Sequence, residues 1–432
     1  MTPTKGSLTR PMFYEAVLPN GMKIAAQKLP HFRSVSLGVW VGTGTVKERP
    51  SEAGISHFIE HMLFKGTHSR TAAGIAAEMD RIGAVLNAFT SKECTCYYAK
   101  ATGEHLNDIA EILSDMVEHS AFDPAEMEKE KSVVVEEINM SEDTPEDVVM
   151  ELLSAAYFAG SALAHPILGT RESVRSFARE DLLDYTRRHY SPENMLLAAA
   201  GNFEEEELYA CAQRWFGAET TPIPPVEYPR SQPAGGVRTA FAQKDIEQCH
   251  LALALPGLCP LDAGYYPMLV LNNALGGSMS SRLFQHIREE RGLAYSVYSF
   301  NSSYRSCGTL GFYAGTGANQ GGTVLKLMLD ELCDVRAHGL TEEEFVRSRD
   351  QLKGSYALAN ESTGARMNAI GKSKLLYDAL RTEEEVTAAI EAVTFEEVNA
   401  VAKTLLDPAQ MTAAFVARSE GIEEEAKALL GG

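Results

Sequence analysis

Two stretches of this chain close in the same way, and that repetition limits the fold more than any composition does. HYSPENMLLAAAGNFEEEELYACAQRWFG runs from His189 to Gly217, and LLDPAQMTAAFVARSEGIEEEAKALLG from Leu405 to Gly431. Met195 and Met411 fall at matching places, 216 residues apart. Upstream, Asp123-Pro-Ala-Glu126 and Thr341-Glu-Glu-Glu344 each open an acidic helical stretch, with Glu126 and Glu344 218 residues apart. Between the halves lies GAETTPIPPVEYPRSQPAGG, Gly217–Gly236, whose prolines and glycines cannot continue a helix or an inner strand. At 432 residues the chain also exceeds the size at which one hydrophobic core stops growing. The expectation is a duplicated α+β unit: a first domain over residues 1–217, a linker over 218–236, and a homologous domain over 237–432.

Local patterns fit strands followed by runs of helices, which points to α+β layers rather than a doubly wound sheet. Tyr14–Leu18 and Met22–Leu29 flank Asn20-Gly21, a strong hairpin signal, and Ser34–Gly42 reads as another strand. Gly54–Lys65 and Ala72–Ile82 read as helices, Val85–Lys100 as two strands, and His105–His119 as a helix. Asp123 caps a further helix with Pro124 at its first position, running to about Met140.

A formal net charge of −20, spread along the chain, works against nucleic-acid binding, which needs a basic footprint. It suits a basic peptide partner, although a plain solvated acidic surface explains it as well. The start, MTPTKGSLTRPMFYEAV, lacks an apolar run of signal-peptide length. The longest apolar stretches, Met195–Gly201 and Leu251–Leu258, are too short to span a bilayer. Seven cysteines suit reduced thiols better than a disulfide framework, so the expected address is the cytoplasm, away from the membrane. Cys94 and Cys96 are two apart rather than Cys-x-x-Cys and read as buried thiols.

The segment that carries chemistry is GISHFIEHMLFKGT, Gly54 to Thr67. His57 and His61 are four apart, so both imidazoles project from one helix face and can bind one metal. Glu60, adjacent to His61, brings a carboxylate beside the coordination position that a catalytic zinc site leaves for water. The order His-x-x-Glu-His inverts the better-known zinc protease motif. A third ligand must come from elsewhere. In EKEKSVVVEEINM, Glu128–Met140, Glu130 and Glu137 are two helical turns apart and share a face, while Glu136 points about 100° away. Spacing alone does not choose between Glu136 and Glu137.

These motifs resemble the pitrilysin-type (inverzincin) metallopeptidases, in the branch of mitochondrial processing peptidase and its bacterial relatives. That family joins His-x-x-Glu-His to a distal glutamate about 76 residues beyond the second histidine, the distance from His61 to Glu137. LNAFTSKECTCYYAK (Leu86–Lys100) and VVEEINMSEDTPED (Val134–Asp147) resemble the same branch. The resemblance implies a zinc-dependent endopeptidase acting on unfolded peptides or precursor segments. His57, His61 and Glu137 would hold one Zn²⁺, Glu60 would be the base, and Glu130 would be the supporting glutamate of the catalytic set. It also implies a clam-like half around a chamber, a homodimer, and an edge strand around Asn87, Ala88 and Phe89 that pairs with an extended peptide. Arg288 and Tyr295 resemble the pair with which the family's second domain holds substrate backbone. The glycines of Leu275–Ser281 resemble the flexible loop of the family's noncatalytic partner subunit, and a helix-terminating turn explains them equally well.

The second half supplies no metal trio: aligning Gly66 with Gly277 puts Met268, Leu271 and Asn272 at the places of His57, Glu60 and His61. Two other readings compete. One is a structural or partner subunit that has lost catalysis, although such members usually lack parts of a motif that this chain keeps whole. The other is a zinc hydrolase of small molecules, which the peptide-binding features and the duplication disfavour.

Overall fold

The computed structural model describes residues 13–218 and 227–431. The first strands form as their residues dictate. Gly21 at φ +93° turns the chain, Asn20 Oδ1 accepts from the Met22 N–H at 3.2 Å, and β1 (Phe13–Val17) returns as β2 (Lys23–Lys28). With β3 (Ser34–Val41), β4 (Val85–Thr90), β5 (Thr95–Thr102) and β6 (Met195–Gly201) they make a sheet in the order β1-β2-β6-β3-β5-β4. The second half contributes β7 (Arg238–Gln243), β8 (Gln248–Gly257), β9 (Ala294–Ser303), β10 (Gly308–Gly317) and β11 (Thr412–Ala417), in the order β7-β11-β8-β10-β9. Each sheet holds one parallel pair, β2 with β6 and β7 with β11, and its other pairings are antiparallel. Apart from β1, the two sheets repeat one topology, and the α+β duplication stands. Of the expected linker, residues 227–236 carry neither helix nor strand, and 219–226 lie outside the described residues.

One face of the first sheet is covered by helices of its own half. The helices that follow its strands are α1 (Ile55–Leu63), α2 (Ala72–Arg81), α3 (Leu106–His119), α4 (Pro124–Asp143) and α5 (Pro145–Tyr157). Val35, Leu37 and Val39 of β3 meet Phe58 and Met62 of α1 and Leu113 and Met116 of α3 in one core. The second sheet has the matching layer, in which Leu251, Leu253 and Leu255 pack with Val270, Leu271 and Leu275 of the helix Tyr265–Gly276. That helix stands where α1 stands in the first half, and it ends at Gly276 with Gly277 as an ordinary cap.

The opposite faces are covered by exchange. Val149, Leu153 and Tyr157 of α5 pack on Ala252, Ala254, Ala414 and Val416 of the second sheet. In return Met367, Ile370 and Leu376 of the helix Thr363–Tyr377 pack on Trp40, Leu196 and Ala198 of the first. Each such aliphatic side chain contributes about 1.5–3 kcal/mol on burial. The alanines of β6 let the helix approach closely. Gly371 is required there, because a Cβ at that position would fall 2.1 Å from the Trp40 ring. Trp40 Nε1 donates to Met367 Sδ at 3.4 Å, and Ser36 and Thr363 share a hydroxyl hydrogen bond of 2.9 Å. The 217–236 boundary thus separates the sheets but not the helices that shield them. Among the described residues no helix is long and apolar enough to cross a membrane.

Candidate metal centre

α1 begins at Gly54, whose φ of +87° and tight approach to the Leu168 carbonyl leave no room for a side chain. The Glu48 carboxylate takes the free N–H groups at this end, accepting from Gly54 at 2.8 Å and from Ser56 at 2.9 Å. Ile55, Phe58, Ile59 and Met62 bury the core side of the helix, which turns His57, Glu60 and His61 toward α4 and β4. α4 is started by Asp123, whose Oδ1 accepts from Ala125 and Glu126, with Pro124 at its first position. Glu130 and Glu137, two turns apart, face α1.

The structure brings His57, His61 and Glu137 together, with one donor atom from each within 4.8 Å of the others. Glu137 Oε2 lies 3.6 Å from His57 Nε2 and 3.5 Å from His61 Nε2. A tetrahedral ion bound at about 2.0–2.1 Å holds its ligands roughly 3.3–3.4 Å apart, so two imidazoles and a carboxylate at this separation fit a zinc ion. Glu136 is exposed and outside the trio.

The surroundings prepare the donors. His57 is only 7% exposed, and burial, with the charge of His61 adding to it, pulls its pKa down to about 4, so it stays a neutral donor. His61 Nδ1 is 2.8 Å from Glu130 Oε1, and the other Glu130 oxygen accepts from Lys65 Nζ at 2.7 Å. Burial alone would depress His61, but the Glu130 hydrogen bond and the carboxylates of Glu137, Glu130 and Glu60 outweigh it and raise its pKa. Burial likewise opposes ionisation of Glu130, and there the bonds from His61 and Lys65 win and hold its pKa low. Such a carboxylate fixes the ring orientation of a ligating histidine.

Glu60 stands beside the trio on the β4 side. Thr90 Oγ1 donates to its Oε2 at 2.6 Å, and Oε1 carries no hydrogen bond among the described residues. Burial raises the Glu60 pKa, opposed by the Thr90 bond and by His61 and reinforced by Glu137. Behind it the hydroxyls of Tyr97 and Tyr190 pair at 2.8 Å. Sequence reasoning missed Thr90 and Lys65. Both had a periodicity signal: Lys65 lies one helical turn beyond His61, and Thr90 shares the strand face of Ala88.

The remaining expected residues fall in two places. Asn87, Ala88 and Phe89 lie in β4, an edge strand whose outer side pairs with nothing among the described residues. Ala88 faces the α1 side, whereas the Phe89 ring packs behind the sheet, 5.4 Å from Trp40. The Phe89 ring is therefore turned away from the side of the sheet that carries α1. Arg288 sits in a π-helical turn, Phe284–Glu289, with its guanidinium carbon 4.9 Å from the ring centre of Tyr295, on the edge strand of the second sheet. Tyr295 is 81% exposed, and no hydrogen bond or ion pair joins it or Arg288 to α1 or α4 among the described residues. Cys94 and Cys96 are buried free thiols.

Comparison with known proteins finds two family models, which meet near residues 171–176, inside the half that carries the first sheet. The family model described as "Insulinase (Peptidase family M16)" matches residues 23–171, and "Peptidase M16 inactive domain" matches residues 176–352. The uncharacterized zinc protease YmxG of Bacillus subtilis is 44% identical over 89% of this chain and 94% of its own length. An uncharacterized zinc protease of Streptomyces coelicolor is 40% identical over 90% of this chain and 86% of its own. A crystal structure of a protease from Helicobacter pylori superposes with a TM-score of 0.88 at 20% identity, covering 94% of this chain and 99% of that one. A structure described as a peptidase M16 inactive domain, from Pseudomonas fluorescens, gives 0.87 at 18%, covering 94% and 98%; both establish the shared fold.

Proposed function

This chain belongs to peptidase family M16, and from that premise we propose that it is a zinc-dependent endopeptidase that cuts extended or unfolded peptides. The observation that carries the reading is the convergence of His57 Nε2, His61 Nε2 and Glu137 Oε2, with the Glu60 carboxylate beside them. A zinc ion held by those three residues supplies Lewis acidity toward water and a peptide carbonyl. Glu60, with Oε2 anchored by Thr90, has Oε1 available to accept a proton from the attacking water and pass it to the leaving amine. The Glu130 carboxylate, held by Lys65, keeps the His61 ring oriented. The free edge of β4 binds the peptide by main-chain hydrogen bonds, which accept any sequence. In the same proposal two chains pair as half-clams around the substrate, and Arg288 and Tyr295 grip its backbone. A purely structural subunit is the weaker reading, because it leaves the intact four-residue set without a purpose.

The test is Glu60→Gln. The variant should keep its zinc and lose roughly 10²–10⁴-fold in kcat on an unstructured peptide, because the base is gone and the ligands remain. A zinc-loaded variant that turns over like the parent would place the base elsewhere.

A further inference from the structure

A cavity of about 660 Å³ lies on the seam between the halves, walled by the helix Thr363–Tyr377, by Phe13, Gln27, Ser91 and Lys92 of the first half, and by Tyr265 and Tyr266 of the second. None of His57, Glu60, His61 or Glu137 lines it, so it is separate from the metal centre. Its volume is that of a small-molecule site.

The lining has two characters. Five tyrosines, Tyr265, Tyr266, Tyr304, Tyr356 and Tyr377, present flat apolar surface with polar tips. The Tyr377 hydroxyl is buried and finds no hydrogen-bond partner, so a donor in this wall goes unused. The charged groups are unbalanced: Lys92, Arg366, Lys372 and Arg381 stand against Glu383 alone, in a chain whose net charge is −20. Arg366 is neutralised by Glu383 at 2.5 Å. The other three cations have no carboxylate at ion-pair distance among the described residues. Lys92 donates to the His165 carbonyl, and Arg381 donates to Tyr266 Oη at 2.8 Å and the Pro260 carbonyl at 3.4 Å. Lys372 makes neither hydrogen bond nor ion pair among the described residues, and the Glu93 carboxylate acts on it only from beyond ion-pair distance. Burial holds the Lys92 pKa below the ordinary lysine value, against the more distant carboxylates of Glu151 and Glu48.

We propose that this cavity binds a small organic anion, one carboxylate, sulfonate or phosphate on an apolar or aromatic body. The body lies against the tyrosines, and the anionic head is met by Lys372, Arg381 and Lys92. A neutral molecule of the same shape would offer these cations no direct charged partner.

The experiment titrates the full-length protein with three probes: 1-anilinonaphthalene-8-sulfonate, dodecanoate and dodecanol, followed by calorimetry. Saturable binding of at least one anion, with dodecanol weaker by about tenfold or more, is the expected result. The two anions distinguish an aromatic from an acyl body. Lys372→Glu, on an exposed side chain, should weaken the bound anion by about tenfold or more and leave dodecanol unchanged. Ala369→Trp, which fills the space, should abolish binding of all three. If that variant misfolds, Lys372→Glu still decides. Absence of saturable anion binding, dodecanol binding as tightly as dodecanoate, or unchanged anion affinity in Lys372→Glu overturns the proposal.

Discussion

A single oxygen, Glu137 Oε2, lies within 3.6 Å of both imidazole Nε2 atoms, while its neighbour Glu136 turns to solvent. Glu137→Gln should therefore weaken zinc binding by more than the about 10–100-fold typical of outer partners of a ligand, and Glu136→Gln should change it little. Zinc competition against a chelating dye measures both. The reverse order would mean that the α4 register is wrong by one residue. The pair of histidines was legible because helical periodicity alone puts positions four apart on one face. The choice of Glu137 was not legible from spacing, since two adjacent glutamates on an exposed helix look alike, and it came from the resemblance. Thr90 escaped notice because its place on the Ala88 face of β4 does not name the carboxylate opposite, 30 residues away in sequence.

At the scale of the element, α1 depends on a half-buried acid, Glu48. Burial pushes the Glu48 pKa up to about 7 against the N–H bonds from Ser56 and Gly54, and Glu52 adds to the rise. The unfolded chain releases that proton near the ordinary carboxylate value of 4.5, so between about pH 4.5 and 7 the folded state binds more proton than the unfolded one. The stabilisation is full below about pH 4.5 and is lost as pH rises to about 7, up to about 3 kcal/mol in all. Glu48→Gln should remove this slope. Thermal unfolding of chelator-treated protein across that window should show the parent losing stability relative to the variant as pH rises, whereas parallel profiles would mean that Glu48 titrates normally. Most elements near the site could be read beforehand, since Asn20-Gly21, Asp123-Pro124 and the spacing of His105–His119 are local signals. The Glu48 cap could not, because it reaches α1 across the short 3-10 turn Pro50–Glu52, and no spacing signal links a residue before that turn to the helix after it.

For the whole molecule, the repeat was visible in the sequence, and the exchange of covering helices was not. Trp40 alternates with Val39 and Val41 and so reads as core, but the residue it donates to, Met367, is 327 positions away. No local pattern announces that α5 will shield the second sheet while Thr363–Tyr377 shields the first. The exchange also links the halves to the metal centre. α4 carries Glu137 and passes directly into α5, where the Tyr298 hydroxyl of the second sheet donates to Glu146 at 2.6 Å. The second half, although it has no trio, thus holds the chain just beyond the third ligand. The measurement that bears most directly on all of this is incubation of the purified protein with a mixed library of unstructured peptides, read by mass spectrometry, with and without chelator. The account predicts internal cleavages that vanish with chelator and return when zinc is restored. Cleavage that persists after complete metal removal, or zinc-loaded protein that leaves the library intact, would contradict it.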